Sequence, residues 1–412
     1  MKRHTRSLLI IAILTALMSN GVRAVDFLEN PFSKLGSYMP ESLQIHGFLS
    51  QGYIKTDTNN FFGHTSNMGS LDFRELGING SWRPLQNLQL SLQVVSREAG
   101  QTDDGHIRID FGLLSYTAIS TPENVWGIRL GRVVNPYGLY NDTRDMPFTR
   151  PSILLPQSVY FDVNRQLALS SDGLQIFGEN HSDIGDFFFQ INGGWSRTTD
   201  PDFKTLTAGD LPGNMVGQLS WIARLMYEYD GGRIRLGVTG AELNAGFQPN
   251  SKRNVYDAQP GNFSLQPLLF SAQYNAESWS LTSEYGLRQV TSPGFGFFPD
   301  TGKTGEAYYV QGTYRFLPIL EGFLRYDVLY WNMGDRNGKE FAAEFGDPSL
   351  SYWQFAKDIS TGLRWDVTPS IMLRAEYHYV NGTGWLSPLE NHPPSNAEQH
   401  WQMFALSASF RF

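Results

Sequence analysis

Apolar and polar residues alternate with a period of two along most of the chain from Leu43 to Phe412. Sixteen such segments can be placed, most of them ten to thirteen residues long. They run roughly over 43–55, 71–82, 88–98, 107–118, 125–132, 173–180, 186–196, 217–229, 233–243, 263–275, 278–290, 305–316, 322–333, 354–366, 371–381 and 399–412. Alternation at this length predicts β-strands whose two faces meet different surroundings. In 217–229 one face carries Leu219, Trp221, Ala223, Leu225 and Tyr227, the other Ser220, Ile222, Arg224, Met226 and Glu228. In 371–381 the sets are Ile371, Leu373, Ala375, Tyr377 and Tyr379 against Arg374, Glu376 and His378. An apolar face opposite a charged one, strand after strand, predicts lipid outside and water inside. A soluble barrel would turn its apolar set inward. Trp82, Trp126, Trp279, Phe316, Trp365 and Tyr379 stand at the ends of apolar faces, as the two interfacial girdles of a membrane barrel require.

The connections alternate as regularly as the strands. Seven are short (83–87, 119–124, 181–185, 230–232, 276–277, 317–321 and 367–370) and interleave with eight mostly longer ones. An up-and-down barrel with both chain ends on one side produces this parity, with short turns in the periplasm and long loops outside. The fold class expected is therefore all-β: a transmembrane antiparallel up-and-down barrel of about sixteen strands.

The longest break in the alternation is Val133–Asp172, after the fifth strand. Asn135-Pro136, Tyr137-Gly138 and Asn141-Asp142 are turn formers, and Pro147, Pro151 and Pro156 follow. The stretch also holds Tyr137, Tyr140, Phe148, Ile153, Leu154, Leu155, Tyr160 and Phe161. A long loop with this much to bury is functional rather than disordered. It is expected to fold into the barrel and narrow its bore.

Composition sharpens this picture at the N-terminus. Lys2, Arg3 and Arg6 precede the apolar run Leu8–Met18, and Val22-Arg23-Ala24 supplies small residues for cleavage. Residues 1–24 read as a secretory signal peptide, and 25–42 as a short periplasmic lead-in before the barrel, 43–412. No later apolar run approaches the length of a membrane helix. Aromatics make up 14 % and charged residues 17 % of a chain without cysteine, which removes thiol and disulfide chemistry. The net charge is −8, and loss of the leader leaves 28 basic against 40 acidic groups, which argues against nucleic acid as a partner.

The C-terminal segment places Phe404, Leu406, Ala408, Phe410 and Phe412 on one face. A terminal Phe after alternating aromatics resembles the C-terminal signal of Gram-negative outer-membrane barrels, and with the topology the mature chain resembles the sixteen-stranded general diffusion porins. The resemblance covers nearly the whole chain in architecture. It implies an outer-membrane location in contact with lipid, a homotrimer, delivery to the barrel-assembly machinery through Phe412, and a third long loop that forms the constriction. Pro136-Tyr137-Gly138 stands where many general porins carry Pro-Glu-Phe-Gly.

Within this frame the candidate chemistry is electrostatic. By alternation, the inward wall carries Arg97, Arg108, Asp110, Arg129, Arg224, Arg233, Arg235, Arg325, Arg374 and Glu376, among other charges, and every lumenal cation is arginine. Arg74 falls on the lipid-facing parity. The loop carries Asp142, Arg144, Asp145, Arg150, Asp162 and Arg165. Charged rings at a constriction set pore selectivity, while the same pairs equally serve to brace a wide lumen. The expected function is passive diffusion of small hydrophilic solutes and ions. The alternative within transport is a channel selective for anionic metabolites, since guanidinium forks suit carboxylate and phosphate. A barrel-borne hydrolase or an adhesin comes lower, because no Ser-His or Asp-His constellation appears. No catalytic residue, metal site or cofactor is expected: the histidines lack ligand spacing, and Asp335–Glu340 lacks the acid spacing of a calcium loop.

Overall fold

The computed structural model describes residues 40, 42–209, 211–250, 259–292, 302–392 and 396–412. The signal-peptide expectation for 1–24, and the lead-in except Pro40 and Ser42, lie outside the described residues. The strands are β1 (Leu43–Thr56), β2 (Ser70–Leu85), β3 (Leu88–Ala99), β4 (Asp103–Ser120), β5 (Asn124–Val134), β6 (Ser170–Ser182), β7 (Gly185–Ser196), β8 (Gly213–Gly217) and β9 (Leu219–Tyr229). They continue as β10 (Ile234–Pro249), β11 (Gly261–Asn275), β12 (Trp279–Thr291), β13 (Gly302–Leu317), β14 (Leu320–Tyr330), β15 (Phe355–Thr368), β16 (Ile371–Gly382) and β17 (His400–Arg411). β8 and β9 both pair with β10 and are parted only at Gln218, so they form one stave and the barrel has sixteen. All pairings are antiparallel between neighbours, and β1 closes the barrel on β17 from Phe48↔Arg411 to Thr56↔Met403. Among the described residues every one of the sixteen staves is paired on both sides, the condition for β-structure in lipid. Beyond β17, Phe412 exchanges both backbone hydrogen bonds with Gly47, at 3.1 and 3.0 Å.

The faces divide as the alternation predicts. β9 alternates exposed Leu219, Trp221 and Leu225 with buried Ser220, Ile222, Arg224 and Met226. Trp82, Trp126, Trp279, Phe316, Trp365 and Tyr379 are all exposed on the outside. The strands run past the predicted ends mainly on the long-loop side. β4 begins at Asp103 rather than 107, and β10 reaches Pro249 rather than 243. Ladder hydrogen bonds there continue beyond the lipid-facing band, where nothing forces apolar and polar residues to alternate. Short helices in the loops, Arg165–Leu169, Pro201–Ala208 and Lys339–Phe345, have no counterpart in the period-two pattern.

The interior differs from the uniformly charged bore that the sequence suggests. Toward the long-loop end, many inward positions are apolar and join two buried clusters with loop side chains. One contains Leu155, Tyr160, Phe203 and Leu211 with Ile222, Leu243, Phe247, Phe263 and Leu269 of the wall. The other contains Phe61, Phe62, Ile153, Phe161, Trp385 and Leu386 with Ile54, Phe73, Leu329, Trp401 and Met403 of the wall. Loop side chains supply these wall residues with an apolar partner and remove both from water.

Candidate functional site

The loop between β5 and β6 is held at its root by one asparagine. Asn141 donates from Nδ2 to the carbonyls of Asn135 (2.8 Å), Ala168 (3.1 Å) and Leu169 (3.3 Å). Gly138 turns the chain at φ +59°, and a Cβ there would meet the Tyr160 hydroxyl and Glu284 Oε1 at 2.4 and 2.7 Å. Only glycine fits both the dihedral and the approach. The Tyr160 hydroxyl accepts from the backbone N–H of Leu139 (2.8 Å) and Tyr140 (3.0 Å) and donates to Glu284 Oε2 on β12 (2.6 Å). Glu284 also accepts from Ser271 Oγ (2.6 Å) and the Tyr309 hydroxyl (2.8 Å).

From there the loop bonds to inward side chains around the barrel. Arg224 of β9 donates to the Gly138 carbonyl (2.6 Å) and to Asp142 (2.5 Å). Arg150 grips Glu75 of β2 with both terminal nitrogens. Arg325 of β14 donates to Ser152 Oγ (3.0 Å) and the Leu154 carbonyl (3.1 Å), and Arg374 of β16 to the Ser152 carbonyl (2.7 Å). Glu376 accepts from the backbone N–H of Ile153 and Leu154, and Asp327 from that of Ser158. Arg364 of β15 donates to the Phe148 carbonyl at 3.1 Å.

The hub of this network is Asp162. It meets Arg97 of β3 at 3.0 Å and the loop's own Arg144 and Arg165 at 3.3 Å each, and it accepts from Gln157 at 3.0 Å. Arg165 also pairs with Asp145, and Arg144 donates to the Tyr160 carbonyl. All of these charges are buried. Buried ion pairs add little net stability, because desolvation opposes attraction, but removing one member strands the others at a cost of about 3–5 kcal/mol. Their effect is to fix position.

The other predicted positions separate. Asp142, Arg224, Arg129 and Arg235 border one cavity of about 250 Å³, with Leu139, Phe177, Phe188, Met226, Glu179 and Glu228. Arg235 pairs with Glu228 at 2.7 Å. Arg129 lies over the Phe177 ring at 4.4 Å and donates to Gln175 at 2.5 Å. Arg108 forks onto Asp103 (2.8 and 2.6 Å) and Asp110 accepts from Gln93 (2.8 Å), so neither meets the loop's charges directly. Arg233 is not on the wall: it precedes β10 in the turn after β9, is largely exposed and pairs with Asp230 at 2.9 Å. Strict alternation ran one residue past the strand end there. Arg74, on the lipid-facing parity, pairs with Glu98 on the next stave at 3.2 Å.

The sequence pattern marked Tyr160 only as a side chain to bury and did not mark Gln157 or Asp103; all three position the charged members. Tyr160 sits in a Tyr-Phe-Asp run. An aromatic beside a buried acid is the one signal that would have marked it for that role.

No family model and no curated protein matches the chain. Solved structures do match in fold. The outer membrane channel DcaP of Acinetobacter baumannii superposes with a TM-score of 0.56 at 13 % identity, covering 90 % of this chain and 97 % of that one. The anion-selective porin from Comamonas acidovorans gives 0.55 at 10 %, covering 90 % and 99 %. OmpT of Vibrio cholerae, folded in vitro and in trimer form, gives 0.53 at 11 %, covering 90 % and 99 %. At such identities the likeness carries the fold alone, and with the closed sixteen-stave barrel it establishes that the chain has the architecture of the outer-membrane porins.

Proposed function

We propose that the protein is an outer-membrane porin that passes small hydrophilic solutes and ions, with the loop between β5 and β6 narrowing the bore. One observation carries this reading. The loop is bonded to inward side chains of β2, β3, β9, β12, β14, β15 and β16, which supports a path across the interior over one along the rim. The exposed apolar outer face supports contact with lipid, and the fold shared with a trimeric OmpT supports a homotrimer. Purified protein in a planar bilayer should give discrete conductance steps. Heat-modifiable, folded protein that never conducts would overturn the reading.

A second reading, selectivity for anions, is favoured by Arg129. It faces the cavity, and its observed partners are an amide and an aromatic ring. Asp142 and Glu179 act on it from the cavity without pairing with it, which leaves its guanidinium fork open to a carboxylate-bearing solute. A reversal potential of anionic sign under a salt gradient supports this reading, and a cationic one sinks it.

A further inference from the structure

Four loops meet over the long-loop end of the barrel. They are 57–69 after β1, the hairpin tip 100–102 between β3 and β4, the segment with helix Pro201–Ala208 after β7, and 383–392 after β16. Apolar side chains of the first and last interlock in one buried cluster, while the helix packs on the wall in the other. Phe61 stacks on Phe62 at 4.1 Å and meets Trp385 edge-on at 5.2 Å, while Phe203 meets Phe263 of β11 at 5.0 Å. Phe62 is held at φ +56°, which a bulky residue adopts only where its surroundings impose it.

The polar joints between these loops are carboxylates. Glu390 Oε1 accepts from the backbone N–H of Gly63 (2.7 Å) and Gln101 (2.8 Å), joining three loops. Asp202 Oδ1 accepts from Ser387 Oγ at 2.5 Å. Asp200 Oδ2 accepts from the Gln166 N–H at 2.6 Å, which ties the helix to the loop between β5 and β6. Glu390 Oε2 and Asp202 Oδ2 are buried and have no hydrogen bond of good geometry; the donors nearest them, the Phe62 N–H for Glu390 and the Thr102 hydroxyl and Leu389 N–H for Asp202, are poorly placed. Asp202 faces Thr102, the Leu389 backbone, Asp162 and Glu390; Glu390 faces the Phe62, Gly63 and Gln101 backbones and Asp202. Asp200 faces Asp103, Arg97, Arg108 and Arg165. Those arginines are committed elsewhere, Arg97 and Arg165 to Asp162, and Arg108 to Asp103. A buried oxygen without a partner is tolerable on a carboxylic acid and costly on a carboxylate.

We propose that these loops form a pH-operated cover on the mouth of the barrel, seated while Asp202 and Glu390 are protonated and released when they ionise, with Asp200 joining the same transition. The cover's role as a gate rests on the porin reading above; its opening does not. Burial raises Asp200 and Glu390 to about 7, and raises Asp202 as well; Asp202 adds to the rise at Glu390, and Asp103 to that at Asp200. Once exposed, such groups titrate near 4 (about 3.9 for Asp, about 4.3 for Glu). The seated form therefore binds more protons than the open one. Its stability is full below about pH 4, falls as pH rises from roughly 4 to 7, and stays low above.

The chain has no cysteine, so single thiols report opening. Ala208 is fully buried and Met68 is exposed. In full-length protein, the methanethiosulfonate reaction rate of Ala208→Cys, divided by that of Met68→Cys, should rise at least tenfold from pH 5 to pH 8. Asp202→Asn with Glu390→Gln should hold the ratio at its pH 5 value, and Glu390→Gln alone should at least halve the rise if the double variant does not fold. A ratio that ignores pH, or that rises undiminished in the carboxamide variants, overturns the cover. Bilayer conductance over the same range separates the two readings. A rising ratio with no conductance at any pH upholds the cover and overturns the porin. A steady conductance while the ratio rises overturns the cover's control of the channel.

Discussion

The two ends of the barrel interior obey different rules. Toward the short turns, inward side chains are polar and partly wet: Arg235 pairs with Glu228, and Arg364 with Asp366 at 3.0 Å, in half-exposed positions. Toward the long loops, inward Ile54, Leu243, Phe247 and Trp401 are shielded by loop residues and buried as in the core of a soluble protein. The charged belt around Asp162, with Arg97, Arg144, Arg165 and Gln157, is buried throughout. A barrel's outer face answers to one solvent along its whole height, whereas its inner face answers to whatever fills it. Water and apolar loops select different residues on the same parity.

Breaking the belt should have the largest effect. Asp162→Ala leaves the buried Arg144 without a carboxylate and takes one from Arg97 and Arg165, which keep Asp103 and Asp145; it is expected to cost about 3–5 kcal/mol and to free the loop. The denaturant midpoint of the folded barrel should fall, and single-channel conductance should rise. An unchanged midpoint would mean that the belt is not holding the loop.

Next comes the apolar half. Phe203→Ala removes a buried ring from the first cluster and should cost about 3–5 kcal/mol, read from the same unfolding transition. A loss confined to the loops, seen as faster cleavage by protease near Lys204 with the barrel midpoint unchanged, would show that the cluster closes the mouth without supporting the wall.

The wet half should be forgiving. Arg235→Ala removes a partly exposed pair and should change stability by no more than about 1 kcal/mol. A drop like that of Phe203→Ala would erase the contrast between the two ends. Smallest in stability, and sharpest for function, is Arg129→Ala. It should leave the midpoint nearly unchanged and move the reversal potential toward cations, measured with the salt gradient used for the parent protein.

Much of this architecture was legible in the alternation. Lipid imposes one strict demand on every outward position, so Leu219, Trp221 and Leu225 announce the outer face of β9 without any knowledge of its neighbours. Turn parity follows from the same constraint, because strands that cross a membrane must return. The loop 133–172 could be singled out because it breaks the pattern and carries too many aromatic and aliphatic residues to stay in water. The pairing of its charges could not. Asp162 with Arg97, and Arg150 with Glu75, join positions 65 and 75 residues apart in the chain, and several arginines on the same parity were equivalent on paper. Arg233 fell in a turn because alternation does not mark where a ladder stops. The apolar upper interior was hidden because Ile54 or Leu243 on an inward parity has no meaning until a loop arrives to cover it. What the sequence by itself determined is the part of the protein that faces a uniform solvent, since each residue there is chosen singly. What only the tertiary structure decided is the part that faces other residues, since a buried charge or ring is stabilised by a partner that no local pattern names.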